Sequence, residues 1–277
     1  MKEHVHHLKD EEVNILLNDL LEQYGYDFTD YSFASVKRRL QRVFINDRFP
    51  SFAEFRYKVK NDESYLTYLM EQITVNVTEM FRDPAFFQVL RNQVLPILAT
   101  YPFIRIWHAG CSTGEEVYSM AILLKEMNLL HKSVIYATDI NESVLEKARK
   151  GIFPLAYMQQ YSQNYLQSGG QHDFSRYYAA NYEYAKFSET LSEKIIFAAH
   201  NLVTDRSFNE FQLIICRNVL IYFNKELQDK VLHLFSESLE QLGFMALGAK
   251  ETLRFTTVAP LFKPLAQKEK IWRKIAT

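Results

Sequence analysis

Five short apolar runs follow residue 100: IRIWHA (104–109), SVIYAT (133–138), KIIFAA (194–199), FQLIIC (211–216) and GFMALG (243–248). Stretches of helical spacing separate them. Strands that are apolar on both faces and alternate with helices build a parallel sheet covered on both sides. The final segment, LFKPLAQKEKIWRKIA, reads instead as two strands joined by a tight turn, an antiparallel hairpin added to that sheet. Pro264 has no N–H to donate, so the first of these two strands is expected at a sheet edge.

Before residue 75 the apolar spacing is helical throughout. Val13, Leu16, Leu17, Leu20 and Leu21 form one stripe, Val36, Leu40, Val43 and Phe44 a second, and Tyr65, Leu66, Leu69 and Met70 a third. Several short helices without strands make a small bundle. A chain of 277 residues has room for two unequal domains. The expected division is a helical domain over 1–75 and an α/β domain over 76–277. Within the latter, 151–193 is rich in tyrosine, with Tyr157, Tyr161 and Tyr165 at helical spacing and Gly169-Gly170 supplying a turn. It is longer than an ordinary connection and is expected to be an inserted subdomain, either a contact surface or a cover packed over the sheet edge.

Composition removes several classes of function. No apolar run is long enough to span a bilayer, and the N-terminus lacks the apolar core of a secretory signal, so a cytoplasmic protein without membrane insertion is expected. Cys111 and Cys216 belong to no C-x-x-C pair, and His6-His7 reads as surface, so no metal site is expected. Charge is uneven. Residues 1–30 carry Lys2 and Lys9 against eight acids, whereas 31–60 carry eight bases against Asp47 and Glu54. Arg38 and Arg42 lie opposite the apolar stripe of their helix and Arg39 flanks it. This basic face is either solvated surface or a docking face for an acidic protein partner; it is too short and too poor in aromatics for nucleic acid. A monomer is the default.

The chemistry begins at WHAGCSTGEEVYS (107–119). A dinucleotide loop carries three glycines, and a P-loop adds lysine and a hydroxyl for phosphate and magnesium. Here Gly110 and Gly114 are followed by Glu115 and Glu116, which would repel a phosphate. Such a loop suits a cofactor with positive charge and no phosphate, as S-adenosylmethionine has. Asp139, ending the second strand in IYATDIN, is placed to accept ribose hydroxyls, although Asp139 or Asn141 could instead cap the next helix. Ligands of open sheets bind beyond the carboxyl ends of the strands, which selects Ala109 and Gly110, Asn201 and Leu202, and Arg217 and Asn218.

With these residues in hand, the chain resembles the CheR family of chemotaxis receptor methyltransferases. The carrying motifs are NVTEMFRDP (76–84), WHAGCSTGEEVYS (107–119), ATDIN (137–141), HNL (200–202), CRNVLIYF (216–223) and GAKETL (248–253). The resemblance implies a class I S-adenosylmethionine-dependent methyltransferase: a doubly wound, mostly parallel sheet with an antiparallel terminal hairpin, a small all-α N-terminal domain and an inserted β-subdomain. It implies glutamyl methyl ester formation on the cytoplasmic part of a chemoreceptor or another acidic signalling protein, with S-adenosylhomocysteine as product. By the same resemblance Asn76, Thr78 and Arg82 contact the cofactor, Glu115 holds its ammonium, Asp139 its ribose, and Asn201, Leu202, Arg217 and Asn218 its adenosine side. Arg82 and Tyr222 would stand nearest the methyl group. Two departures from the family pattern, GAKETL and Cys111, touch no implied cofactor contact but leave the acceptor open.

A glutamate acceptor is already ionised at neutral pH, so its methylation asks for position rather than a general base. Arg82 can hold a carboxylate by directed hydrogen bonds. Asp83 and Pro84 suit the cap and first position of a helix. Two other readings compete: a class I methyltransferase with a different acceptor, and an adaptor that binds S-adenosylmethionine without turnover. The Pro-Pro-aromatic motif common in amine methyltransferases is absent from CRNVLIYF, which argues against an amine.

Overall fold

The computed structural model describes residues 7–29, 31–73 and 78–275, and contact density divides the chain into two compact units. One comprises 1–76 with 222–228; the other comprises 77–221 with 229–277. Among the described residues no helix is long and apolar enough to cross a membrane.

The first unit is built on four helices: α1 (Asp10–Tyr24), α2 (Phe33–Asn46), α3 (Phe52–Asn61) and α4 (Glu63–Ile73). The stripes read from the sequence face one another, with Val13, Leu16, Leu20, Leu40, Leu69 and Ile73 fully buried. Leu21 is the exception, half-exposed on the rim of its stripe. The third helix, α3, buries Phe55 and Val59, a stripe too short to stand out in the sequence. Ser51 caps it by accepting a hydrogen bond from the Glu54 N–H. The segment 222–228 joins this unit through an antiparallel bridge of Tyr31 with Phe223 and through the Ser32 N–H, which donates to the Tyr222 carbonyl at 2.8 Å.

In the second unit, α5 (Pro84–Val89), a π-helical turn at Leu90–Val94 and α6 (Leu95–Leu98) lead into a seven-stranded sheet. The elements then follow in chain order: β1 (Ile104–Ala109), α7 (Glu115–Glu126), β2 (Ser133–Asp139), α8 (Glu142–Lys150), β3 (Ile152–Pro154), α9 (Met158–Gln167), β4 (Tyr178–Asn181), β5 (Tyr184–Phe187), α10 (Glu189–Ser192), β6 (Ile195–Ala199), β7 (Phe211–Cys216), α11 (Lys225–Ser238), β8 (Leu239–Leu247), β9 (Phe262–Ala266) and β10 (Ile271–Lys274). The sheet order is β6-β2-β1-β7-β8-β10-β9. The first five strands run parallel, and β10 is antiparallel to both its neighbours. This is the parallel sheet that the alternation of runs implied, closed by the antiparallel hairpin read from the final segment. The β9 strand lies at the edge, where the missing N–H of Pro264 costs no ladder bond.

The main departure from the expected strands is β8, which begins four residues before the run at 243 because it leaves α11 without a loop. The stretch 151–193 is more regular than its sequence suggested. It forms a small antiparallel sheet, β3-β5-β4, together with α9. Its Phe153, Tyr161, Tyr165, Phe174 and Phe187 belong to the same buried cluster as the large sheet, while Tyr182 and Tyr184 face solvent.

A buried acid ties this insertion down. The Glu126 carboxylate, at the end of α7, accepts hydrogen bonds from the Tyr165 and Tyr177 hydroxyls and pairs with Arg91. Burial opposes its ionisation, but hydrogen bonds from Tyr165, Arg91 and Tyr177 outweigh that and hold its pKa below the ordinary value. Replacing Glu126 by Ala would leave the buried Arg91 guanidinium uncompensated. Urea unfolding is expected to show a loss of about 3–5 kcal/mol for Glu126→Ala, and a smaller loss when Arg91→Leu is combined with Glu126→Leu. Equal losses would show that the pair contributes packing alone.

Candidate active site

The site grows from the carboxyl end of β1. After Ala109 the chain turns sharply, with positive φ at Gly110 (77°), Ser112 (51°) and Gly114 (92°). The Gly110 and Cys111 N–H groups both donate to the Thr138 carbonyl, at 2.8 and 2.9 Å, which holds the turn against the end of β2. A Cβ on Gly110 would collide with Val219 in the loop after β7. The first glycine therefore permits close passage beside that loop, and the second starts α7. No third glycine is required, because no pyrophosphate has to approach.

Asp139 lies at the end of β2 with its side chain turned toward this loop. Its carboxylate accepts from the Ser112 N–H at 2.9 Å and the Asn141 N–H at 3.0 Å. Burial raises its pKa, against the lowering effect of those backbone donors. Asn141, rather than Asp139, caps α8, its side-chain oxygen accepting from the Ser143 N–H. The Asn141 amide nitrogen is buried without an acceptor among the described residues.

The two adjacent glutamates have opposite surroundings. Glu115, at the first position of α7, is buried and takes a hydrogen bond from the Thr113 hydroxyl at 2.6 Å. No cation pairs with it among the described residues, and burial pushes its pKa up to about 7. Burial would raise Glu116 as well, but the Arg217 guanidinium at 2.7 Å and His108 at 3.2 Å outweigh it and hold Glu116 at about 2. Glu116 thus answers an internal charge, and Glu115 has none among the described residues.

Arg217, expected on the adenosine side, has its guanidinium engaged by protein groups. It pairs with Glu116 and Asp83, donates to the Arg82 carbonyl at 3.4 Å, and lies 4.2 Å over the Phe86 ring. The expectation that the Asp83 side chain caps α5 is therefore corrected. Asp83 sits in the left-handed region (φ 57°), its carboxylate makes no cap bond, and Arg217 takes it instead. Pro84 does occupy the start of that helix.

Arg82 stands between two left-handed residues, Phe81 (φ 52°) and Asp83 (φ 57°). Such conformations in non-glycine residues cost about 1–3 kcal/mol each and persist only where the surroundings enforce them. Here the Phe81 N–H donates to the Ser119 hydroxyl at 2.9 Å, and the Phe81 ring is buried against Phe87 and Tyr165. Arg217 fixes the other side. The turn that presents Arg82 is thus held at both ends.

The remaining expected residues are distributed as follows. Ala109 is buried at the end of β1 and Thr78 is half-buried; Asn76 lies outside the described residues. Leu202 is buried, and the Asn201 side-chain oxygen accepts from the Val203 N–H at 2.9 Å. Asn218 (φ 63°) and Val219 donate their N–H groups to Glu251, at 3.1 and 2.9 Å. Tyr222 groups with the helical unit, where the Arg39 guanidinium lies 4.3 Å over its ring. Arg39 is 7% exposed and also donates to the Ile73 carbonyl, so burial removes it from the basic face. Arg38 and Arg42 are exposed.

Glu116, Ser119 and Glu251 organise the site without having been singled out as site residues. Each had a signal in the sequence, Glu116 and Ser119 in the motif at 107–119 and Glu251 in GAKETL, but their partners lie far along the chain. The assembled groups fit S-adenosylmethionine: an unpaired buried carboxylate for an ammonium, an acid at the end of β2 for a diol, and an orphaned buried amide donor at Asn141. The loop itself contains no lysine or arginine that would favour a phosphate.

Comparisons with known proteins match the chain to one methyltransferase family. The family model described as "CheR methyltransferase, SAM binding domain" matches residues 76–271, and "CheR methyltransferase, all-alpha domain" matches 11–74. Cher3 of Pseudomonas putida, a methyltransferase by name, is 46% identical over 265 residues, 96% of this chain and 97% of that one. The chemotaxis protein methyltransferase of Listeria innocua is 32% identical, with 83% of this chain and 85% of that one covered. Chemotaxis protein methyltransferase 1 of Vibrio cholerae is 35% identical over 66% of this chain and 67% of its own length.

A raised pKa at Glu115 has a signed consequence for cofactor-free protein. Between its unfolded value near 4.5 and its folded value of about 7, the folded state binds more protons, so stability falls as pH rises through that window. The contribution is about 3 kcal/mol, at 1.36 kcal/mol for each pKa unit. Glu115→Gln is expected to be more stable than the parent protein above pH 7, with the difference vanishing near pH 4. A difference curve that is flat between those limits would contradict the unpaired state of Glu115.

Proposed function

The chain belongs to the CheR methyltransferase family, and on that footing we propose that it forms methyl esters on glutamate side chains of a chemoreceptor or a comparable acidic signalling protein in the cytoplasm. It is an S-adenosylmethionine-dependent methyltransferase, with the cofactor domain over 76–271. The observation that carries the acceptor assignment is that relatives covering most of the chain are named chemotaxis protein methyltransferases.

When bound, the cofactor supplies an electrophilic methyl group on a sulfonium. In our reading Glu115 receives its ammonium and Asp139 its ribose hydroxyls. Ala109, Gly110, Thr78, Asn201, Leu202 and Asn218 shape the rest of the cofactor site. Arg217 contributes by holding the Arg82 turn, and Asn76 and Tyr222 enter on the family pattern alone.

Arg82 contacts the cofactor beside its methyl group and orients the acceptor carboxylate. A glutamate with a reference pKa near 4.3 is ionised at neutral pH, so no proton has to be removed before attack. Positioning then supplies the catalysis, and the turn fixed by Ser119 and Arg217 suits that task. The exposed Arg38 and Arg42 offer a face for an acidic partner. Esterification neutralises one carboxylate, which on a helical receptor relieves repulsion between acids one turn apart.

Transfer of labelled methyl from S-adenosylmethionine to membranes and soluble extract of the native cell tests this reading. Base-labile label on a membrane receptor is expected, with Arg82→Ala lowering the rate by about 100-fold. Label that is base-stable, or none on any protein, would overturn the glutamate assignment. Cofactor affinity should fall about tenfold for each pH unit below 7 as Glu115 takes up a proton, and Glu115→Gln should abolish that dependence. A parent protein whose affinity is level from pH 5 to pH 7 would remove Glu115 from the ammonium site.

A further inference from the structure

The GAKETL motif departs from the familiar family pattern, and the residues around it form a pocket of about 540 Å³. Three cations, Lys250, Arg254 and Lys270, line it, together with Leu253, Phe262 and Trp272. None of the three makes an ion pair among the described residues. Glu251 is the acid of this loop, and it is turned inward. Its carboxylate accepts from the N–H groups of Asn218, Val219 and Gly248 and is 5% exposed, so it is committed to backbone donors. The pocket therefore has a cationic rim above an apolar floor.

We propose that this pocket docks an acidic segment of the acceptor polypeptide, with carboxylates on Lys250, Arg254 and Lys270 and an apolar side chain on the Leu253-Trp272 floor. Three features support that occupant. The rim charge is unbalanced and of one sign, which favours an anionic partner. The floor would be wasted on a bare inorganic anion. Phe262 and Trp272 are 7% and 8% exposed, which leaves too little ring surface for a nucleobase to stack on. The place in the fold agrees. The loop 248–254 follows the carboxyl end of β8, the side of an open sheet on which ligands bind, and Glu251 anchors it to the loop after β7 that carries Asn218. A polypeptide seated there runs beside the cofactor-side loops. Phe255, fully exposed at φ 65°, adds an apolar contact beyond the rim. The inference rests on the proposed acceptor being an acidic protein.

Fluorescence anisotropy with the full chain tests it, using the labelled peptide Glu-Glu-Phe-Glu-Glu-Leu and its counterpart Gln-Gln-Phe-Gln-Gln-Leu. The acidic peptide is expected to bind about tenfold or more tighter than the glutamine peptide at low salt. The exposed double variant Lys250→Glu/Arg254→Glu should remove that preference, with S-adenosylhomocysteine affinity and the far-ultraviolet spectrum unchanged. Equal binding of the two peptides, or a preference that survives the pocket variant, would overturn the proposal. So would full displacement of the peptide by inorganic phosphate at matched ionic strength, which would mark a free-anion site. Peptide binding at the pocket without base-labile methylation of any protein would sink the glutamate reading and uphold the pocket. Methylation without pocket binding would do the reverse.

Discussion

Arg217 is the group on which the active-site edge depends. Its guanidinium is buried, and a buried guanidinium is tolerable only when carboxylates and carbonyls surround it. Glu116, Asp83 and the Arg82 carbonyl take its two terminal nitrogens and the Phe86 ring covers its face, while Nε has no acceptor among the described residues. Two consequences follow from one side chain. The chain is held in the unfavourable turn at 81–83 that presents Arg82, and Glu116 is neutralised so that Glu115 is left as the uncompensated acid of the loop.

The same economy recurs at Glu126, where one carboxylate gathers Arg91, Tyr165 and Tyr177 and seats the inserted β-sheet against α7. The helix α7 is buried over nearly all its length, from Glu115 through Leu124 apart from Glu116. It needs partners on every face. The large sheet supplies one side and the insertion another, which is why the tyrosines of 151–193 are divided between a buried set and an exposed set. The insertion is thus both a packed cover and a surface.

Legibility followed the range of the forces involved. The ranges of β1 and β7 could be read directly because both faces of each strand are apolar, a pattern that local sequence displays. The beginning of β8 could not, because α11 runs straight into it and Glu240 and Gln241 interrupt the apolar pattern. The edge position of β9 was legible from Pro264, whose missing donor restricts where it can pair. The Asp83 side chain was misjudged as a cap because capping is the local default, and a buried arginine 134 residues away competed for it. Arg39 was misjudged for a related reason: helical geometry placed it beside the basic face, and tertiary packing folded it over Tyr222 and onto the Ile73 carbonyl.

By itself the sequence determined the kind of sheet, the two-glycine loop and the positions of the acids at the strand ends. Each of these is set by neighbours close along the chain: apolar runs on both faces, φ freedom, and a residue's distance from the end of its strand. Which acid carries charge was decided by the tertiary structure. Glu115 and Glu116 are adjacent in sequence, yet one is pushed up to about 7 and the other held at about 2. The difference is set by Arg217, 101 residues further along the chain and 2.7 Å away in space. Ionisation depends on through-space distance and burial, and neither is recorded in sequence order.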